Sequence, residues 1–260
     1  MFFARVKNAL LENDPLAKTK LVDQLYSEVT SSQIDFSPQE AIDSIEIPGR
    51  PAQPELVHPS KVARRKLTTE QGRVALVHAI CHIEFNAINL ALDAVYRFQS
   101  MPRDYYIDWM KVAAEESKHF LLLRERLLEL HSSYGQHLAH NGLWEMAIKT
   151  QHSVIERMAL VPRVLEARGL DVTPGMIDRL NAVGDIKTVN ILKIILQDEI
   201  GHVEIGTRWF RYACKQEGVD SESIFIDLLK QYNVTVGTGL LHIDARQQAG
   251  FSSAELKALS

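Results

Sequence analysis

Two stretches of this chain place a glutamate and a histidine three residues apart inside an otherwise apolar helical stripe. Glu116 and His119 lie in "AAEESKHFLLL", and Glu199 and His202 lie in "LQDEIGHVEIG". The i, i+3 spacing directs both side chains from one helix face towards one place. A buried carboxylate without a partner costs several kcal/mol or takes up a proton. The pattern therefore favours a fold in which helices bury an ion network or a metal.

A single copy of this motif is weak evidence, because about one E-x-x-H match is expected by chance in a chain of this composition. A third copy, Glu55 and His58 in "PELVHP", has prolines on both sides, which excludes a helix there. The other two copies lie on apolar stripes. Glu84 occupies the corresponding place in the stripe of the preceding helix, where its neighbours are apolar or small. Three helices are thus predicted to carry buried ionisable side chains.

The helix between the two E-x-x-H helices should supply one more carboxylate, and three glutamates are candidates. Glu166 lies on a largely apolar row, Glu156 lies on a largely polar row, and Glu145 lies at the opposite end of the apolar row. From Glu84 to Glu116 is 32 residues, and from Glu166 to Glu199 is 33 residues. A lone glutamate followed by E-x-x-H thus occurs twice at nearly the same spacing. We prefer Glu166, with Glu156 and then Glu145 as alternatives.

Helical periodicity dominates the chain from Thr68 onward, and strand signals are nearly absent. Five prolines between residues 33 and 67 exclude a long helix there and predict an extended arm. We expect an all-α fold, a four-helix bundle with extra N-terminal helices and a C-terminal helical extension. The expected domains are 1–67, helices and arm; 68–217, the bundle; and 218–260, a C-terminal helix and tail. The predicted helices are 3–32 with a break at Asp14-Pro15, then 69–100, 103–132, 141–169, 174–183, 185–217 and 220–232.

One glutamate from each of two helices and an E-x-x-H from each of two others form the ligand set of di-iron carboxylate bundles. Asp198 is a candidate to accept the spare N–H of His119, as carboxylates behind a metal ligand do, although an exposed helix position explains it equally well. The predicted metal ligands are Glu84, Glu116, His119, Glu166, Glu199 and His202.

Beyond these residues, the chain resembles the ferritin-like superfamily. It is more closely similar to an uncharacterised bacterial family within it, a domain of unknown function. The likeness is carried by segments such as "DWMKVAAEESKHF", "VPRVLEARGLDVTP" and "DEIGHVEIGTRWF", which with others span most of residues 58–213. The "LEARGLD" segment also favours Glu166 as the third-helix ligand. The resemblance implies two iron ions, with Mn/Fe or Mn/Mn as variants, and often dioxygen or peroxide.

Three functions are consistent with these features, because the fold alone does not choose a reaction. The leading hypothesis is a di-iron oxidoreductase of the oxygenase or oxidase type that activates dioxygen or peroxide. It would act on a small-molecule substrate and need an electron donor. The second is a ferroxidase or iron-handling protein. The third is a non-enzymatic helical module with a structural ion network.

Composition limits the partners that we expect. The 46% hydrophobic content allows a sizeable core, and the formal net charge of −4 gives no reason to expect nucleic acid. The two cysteines, Cys81 and Cys214, form no disulfide framework, so a cytoplasmic location is expected. No apolar run approaches the roughly 18 residues of a membrane span. We therefore expect no membrane association, with a homodimer as one candidate assembly.

Overall fold

The computed structural model describes residues 1–31, 34–38, 41–62, 66–234 and 241–259. Within these ranges every regular element is a helix, and the chain forms two compact units, Met1–Ile148 and Lys149–Ser260. The all-α prediction is confirmed. The division into domains at residues 67 and 217 stays a prediction.

The first unit is built around a helical hairpin. Its two long helices are joined by a short loop and pack along their length, which brings the apolar stripes of the sequence into contact. Thr69 Oγ1 starts the first of them by accepting a hydrogen bond from Gly72 N at 3.1 Å. The helices of this part of the chain are α1, Phe2–Leu11; α2, Pro15–Ser31; α3, Glu70–Arg97; α4, Arg103–Glu129; and α5, Gly142–Lys149.

The N-terminal helices pack on this hairpin, α1 against α3 and α2 against α4. A buried lysine joins them to it: Lys18 Nζ donates to the carbonyls of Ala9 and Leu10 at 2.9 and 2.8 Å and to Asn89 Oδ1 at 2.7 Å. An ammonium has three donors, so these acceptors match it fully. The predicted break in the first helix at Asp14-Pro15 is confirmed.

The described part of the proline-rich arm lies against the same unit and contains no long helix, as predicted; its one regular piece is a 3₁₀ turn, Pro59–Lys61. Gly49 N donates to Leu10 O at 2.8 Å, and Val57 N donates to Ala139 O at 2.8 Å. These bonds satisfy backbone groups that an extended segment leaves without internal partners.

The second unit contains the remaining helices, and its longest helix forms a hairpin with the run that precedes it. That run changes geometry in its middle, from α to π and back to α, over residues that include Pro162. The elements are α6, Val154–Leu160; a π segment, Val161–Glu166; α7, Ala167–Ala182; α8, Ile186–Glu217; α9, Ser221–Gln231; α10, Ile243–Gln248; and α11, Ser253–Leu259.

The prediction of one helix over 141–169 is wrong, because α5 ends at Lys149 and α6 begins only at Val154. Ser153 terminates the gap as a helix N-cap, its Oγ accepting from Glu156 N at 3.2 Å. A serine on a helical row looks like a surface position in the sequence. Its capping role shows only when the backbone before it leaves the helix.

The predicted helix end at "RGLDVTPG", 168–175, is also wrong, because α7 continues through Pro174 to Ala182. Proline removes one backbone hydrogen bond from a helix interior, but packing outweighs that cost here. Leu170, Ile177 and Leu180 form a buried stripe along α7 that spans the proline. The segments predicted as 141–169 and 174–183 therefore join without a loop.

One helix in the described residues, α3, is long and apolar enough to cross a membrane by length and composition. However, 78% of its most apolar window is buried inside the protein. Its apolar side chains are therefore used in internal packing. The cytoplasmic location stays a prediction.

Candidate metal centre

The first unit brings three of the predicted ligands together, and we call them the first ligand group: Glu84, Glu116 and His119. Glu84 lies on α3, and the other two lie three residues apart on α4. The hairpin aligns the two helices at this level, since Cys81 Sγ, one turn before Glu84, lies 3.8 Å from Phe120 O. The group is thus placed by two regular helices in contact with each other.

The three side chains of the first ligand group converge on one nitrogen. His119 Nδ1 lies 3.3 Å from Glu84 Oε2 and 3.4 Å from Glu116 Oε2. One donor or acceptor atom from each residue lies within 4.8 Å of the other two. All three residues are at most 3% exposed. The group could hold a metal ion, because carboxylate oxygen and imidazole nitrogen are ligands for divalent metals.

The buried charges of this group favour a compensating cation or shared protons. Burial raises the pKa of Glu84 well above its usual range, and the nearby Glu116 raises it further. Burial lowers the pKa of His119, but contacts with Glu116 and Glu84 outweigh burial and raise it to about 11. One Nδ1 proton cannot serve two carboxylate oxygens at once, and both distances exceed those of good N–H···O bonds. A cation between the three groups would satisfy both oxygens.

Buried aromatic rings and a buried thiol lie next to the first ligand group along α3 and α4. The Phe85 and Phe120 rings, which follow Glu84 and His119 in sequence, lie 5.4 Å apart. Burial, together with the charge of Glu84, raises the pKa of Cys81 well above its usual range. In such a dry setting every charge interaction is stronger than in water.

His82 lies near this group but is satisfied by hydrogen bonds, in agreement with its omission from the predicted ligands. Its Nδ1 lies 2.9 Å from Tyr134 Oη, and its Nε2 lies 3.2 Å from His140 O.

The Glu55 and His58 copy of the motif lies outside any long helix. Both its residues are exposed, and His58 Nδ1 lies 2.8 Å from Ser60 Oγ.

The second unit carries the other predicted ligands, and we call Glu166, Glu199 and His202 the second ligand group. On α8, His202 Nδ1 lies 3.8 Å from Glu199 Oε1. His202 is fully buried, whereas the Glu199 side chain is 12% exposed. Glu166 is half-buried and ends the π segment. This group is therefore more open than the first.

The contact between the π segment and α8 sets the level of Glu166. A Cβ added at Gly206 would lie 2.5 Å from Pro162 Cβ and Cγ, so the two backbones approach closely there. The run through the π segment and α7 is antiparallel to α8. One turn from Pro162 towards Glu166 thus corresponds to one turn from Gly206 back to His202. This register predicts that Glu166 lies near the level of His202 along α8.

The alternative carboxylates are engaged elsewhere or exposed. Tyr232 Oη donates a short hydrogen bond to Glu156, and His152 Nε2 lies 3.3 Å from the same carboxylate. Glu145 is exposed on α5. Asp198 is half-buried on α8, and its proposed bond to His119 stays a prediction. The choice of Glu166 also stays a prediction, now with a structural argument in its favour.

Residues 11–257 match the family described as a protein of unknown function, DUF455. This chain belongs to the DUF455 family. A curated Haemophilus influenzae protein, described as an uncharacterized protein, is 44% identical over 266 residues, which cover 98% of this chain and 92% of the relative. No solved structure gives a significant match. The DUF455 match spans all six predicted ligands and α10, and it ends within α11.

The residues that hold the π segment of this DUF455 protein were not predicted from its sequence. Arg163, three residues before Glu166, is fully buried and pairs with Glu255 on α11. The available signal was an arginine within the apolar stretch "ALVPRVLEA", which predicts a buried charge that needs a partner. The partner could not be inferred, because it lies in a tail whose periodicity is weak.

Proposed function

We propose that this protein is a di-metal carboxylate oxidoreductase that binds two iron ions, with the six predicted residues as ligands. The ferritin-like assignment belongs to this proposal, since the ligand set is that of di-iron carboxylate bundles. Manganese is compatible with the same ligand types. The expected reaction is oxidation of a small molecule with dioxygen or peroxide, supported by a separate electron donor.

The observation that carries the proposal is the arrangement of Glu84 and Glu116 around His119 Nδ1. Carboxylate oxygens and an imidazole nitrogen that converge on one place form the kind of donor set that divalent metals bind. Here two carboxylate oxygens share one ring nitrogen at long distances. That arrangement is inefficient for hydrogen bonding and suited to a shared cation.

The second ligand group supports the same proposal with an equivalent donor set. Glu199 and His202 repeat the i, i+3 spacing on α8, and the close approach of the π segment to α8 supports Glu166 as a third ligand. Two carboxylates and one imidazole are therefore available in each unit, which is the number expected for a symmetric pair of metal positions.

In this proposal the residues of the chain have separate tasks. Bound iron would supply the redox equivalents and an open coordination position. The carboxylates fix the charge and geometry of the site, and both histidines contribute ring nitrogens. The residues of the first group are at most 3% exposed, and this burial excludes water. Glu166 and Glu199 are only partly buried, and we expect a small substrate to approach them.

The test loads the full-length protein anaerobically with Fe(II), measures metal per chain, and then records the optical spectrum on exposure to dioxygen or peroxide. We expect two iron ions per chain and a new absorption band after oxidant addition. Failure to bind Fe(II) or Mn(II) rejects the metal centre. Metal binding without any change on oxidant addition retains the centre and rejects the oxidoreductase. A very large particle in size-exclusion chromatography would instead favour iron storage.

A further inference from the structure

The environment of Arg163 is unusual for a charged side chain inside a helical run. Arg163 is fully buried in the π segment, its Nη2 lies 2.7 Å from Glu255 Oε1, and its Nε donates to Thr207 Oγ1 at 3.1 Å. Glu255 is itself buried. The guanidinium thus links three elements of the second unit: the π segment, α8 and α11.

Three phenylalanine rings surround the same guanidinium. Arg163 Cζ lies 4.8, 4.2 and 4.5 Å from the ring centroids of Phe210, Phe225 and Phe251. A cation over an aromatic face is attracted to it, and more strongly when both are removed from water. The planar guanidinium suits both the stacking and the ion pair, whereas an ammonium suits neither as well. The rings come from α8, α9 and the loop before α11, so the tail completes this enclosure.

Glu255 has a second task that limits how it can be replaced. Its Oε2 accepts from Ser252 N at 2.8 Å, and its own N–H donates to Ser252 Oγ at 3.1 Å. This reciprocal pair is a capping box that starts α11. One carboxylate oxygen therefore fixes the helix start while the other holds Arg163. A glutamine has only one acceptor oxygen and cannot do both.

The tail also contacts the chain on the other side of Glu166. Arg246 on α10 is buried; its Nη2 donates to Ala167 O at 3.3 Å and to Asp171 Oδ2 at 2.7 Å. Contacts from the tail thus reach the third residue before Glu166 and the residue after it. A π turn is rare in proteins, and Pro162 lacks a donor, so we expect outside contacts to stabilise this segment.

We propose that Arg163 and Glu255 form a latch through which the C-terminal helix holds the π segment, so that Glu166 is kept in position to bind metal. This inference rests on the proposed function. Arg163 and Glu255 are positioning residues, since neither belongs to the ligand groups. The tail, residues 241–259, would thus help to hold Glu166 in place.

The test compares Glu255→Gln with Glu222→Gln in the full chain. Glu222 is the matched control, because it accepts a hydrogen bond from Ser252 Oγ and so contacts the same tail without contacting the π segment. We expect Glu255→Gln to speed amide hydrogen exchange at residues 161–170 of the metal-free protein. We also expect it to weaken Fe(II) binding about 10- to 100-fold, as loss of ligand support does. Glu222→Gln should change neither.

A second variant, Thr207→Val, removes the other anchor of Arg163 from α8 and leaves the tail intact. It should shift exchange and Fe(II) affinity in the same direction, with an altered Mössbauer spectrum of the iron-loaded protein. Equal effects of Glu255→Gln and Glu222→Gln would mean that the tail matters only for docking, and would overturn the latch. Normal Fe(II) binding by Glu255→Gln overturns the latch alone. A wild-type chain without Fe(II) binding overturns both proposals.

Discussion

The two ligand groups use the same donors but are built differently. The first lies on α3 and α4, two regular helices, and its residues are at most 3% exposed. The second lies on α8 and a π segment, and the Glu199 side chain is 12% exposed. Two regular helices and the contact between them place the first group. The second also depends on contacts between the π segment and its neighbours. Two identical sequence motifs can therefore need different tertiary contacts to hold their side chains in place.

The largest expected effect comes from breaking the first group. Glu116→Leu removes one of the two carboxylates around His119 Nδ1, and we expect Fe(II) affinity to fall by more than about 100-fold, beyond the loss seen for residues that only support ligands. Isothermal titration under anaerobic conditions measures it. Glu115→Leu is the control, because Glu115 pairs with Lys111 at 3.2 Å instead. Equal losses in the two variants would remove the first group from the site.

The contrast between the groups also explains what could be predicted from sequence. α3, α4 and α8 were predicted to within three residues at each end, and their buried glutamates and histidines stood out, because both rest on periodicity within one helix. The π segment, the gap before Ser153 and the Arg163–Glu255 pair were not predicted. They depend on contacts between residues far apart in the chain. Periodicity within one helix does not indicate such contacts.

The close approach in the second unit gives the next largest effect. Gly206→Ala would place a Cβ 2.5 Å from the Pro162 ring, which is not a flexible side-chain end. We expect a loss of about 3 kcal/mol in unfolding free energy, the upper range for overpacking, together with weaker Fe(II) binding as Glu166 is displaced. Gly175→Ala on α7 meets no atom within 4 Å and should stabilise slightly. Chemical denaturation measures the unfolding free energy of both variants. Equal stabilities would contradict the close approach of Gly206 to Pro162.

The first unit should be more sensitive to acid because of His78. Burial, together with nearby His137 and His82, lowers its pKa to about 4; His78 Nε2 also accepts from Gly135 N at 2.9 Å. The unfolded chain therefore binds a proton more readily, and stability falls as pH drops from about 6.5 to about 4. We expect a loss of about 2 kcal/mol across this window, after allowance for partial solvation.

The measurement is the difference between wild type and His78→Gln in unfolding free energy at pH 7 and at pH 4.5. Because Glu84 and other groups titrate in both proteins, their contributions cancel in the difference. The variant should lose less stability than wild type on acidification. A parallel loss in the two proteins would show that His78 is not held neutral by the fold.

The smallest effects come from the two helix starts that precede the ligand groups, and they sharpen the comparison most directly. Thr69→Ala removes the cap of α3, and Ser153→Ala removes the cap of α6. Each should cost about 1 kcal/mol. The consequences should differ, because α3 reaches Glu84 as one regular helix, whereas α6 leads directly into the π segment. Ser153→Ala should therefore raise hydrogen exchange at residues 161–166, and Thr69→Ala should leave exchange around Glu84 unchanged. Exchange that rises equally at both places would mean that the second group needs no more support than the first.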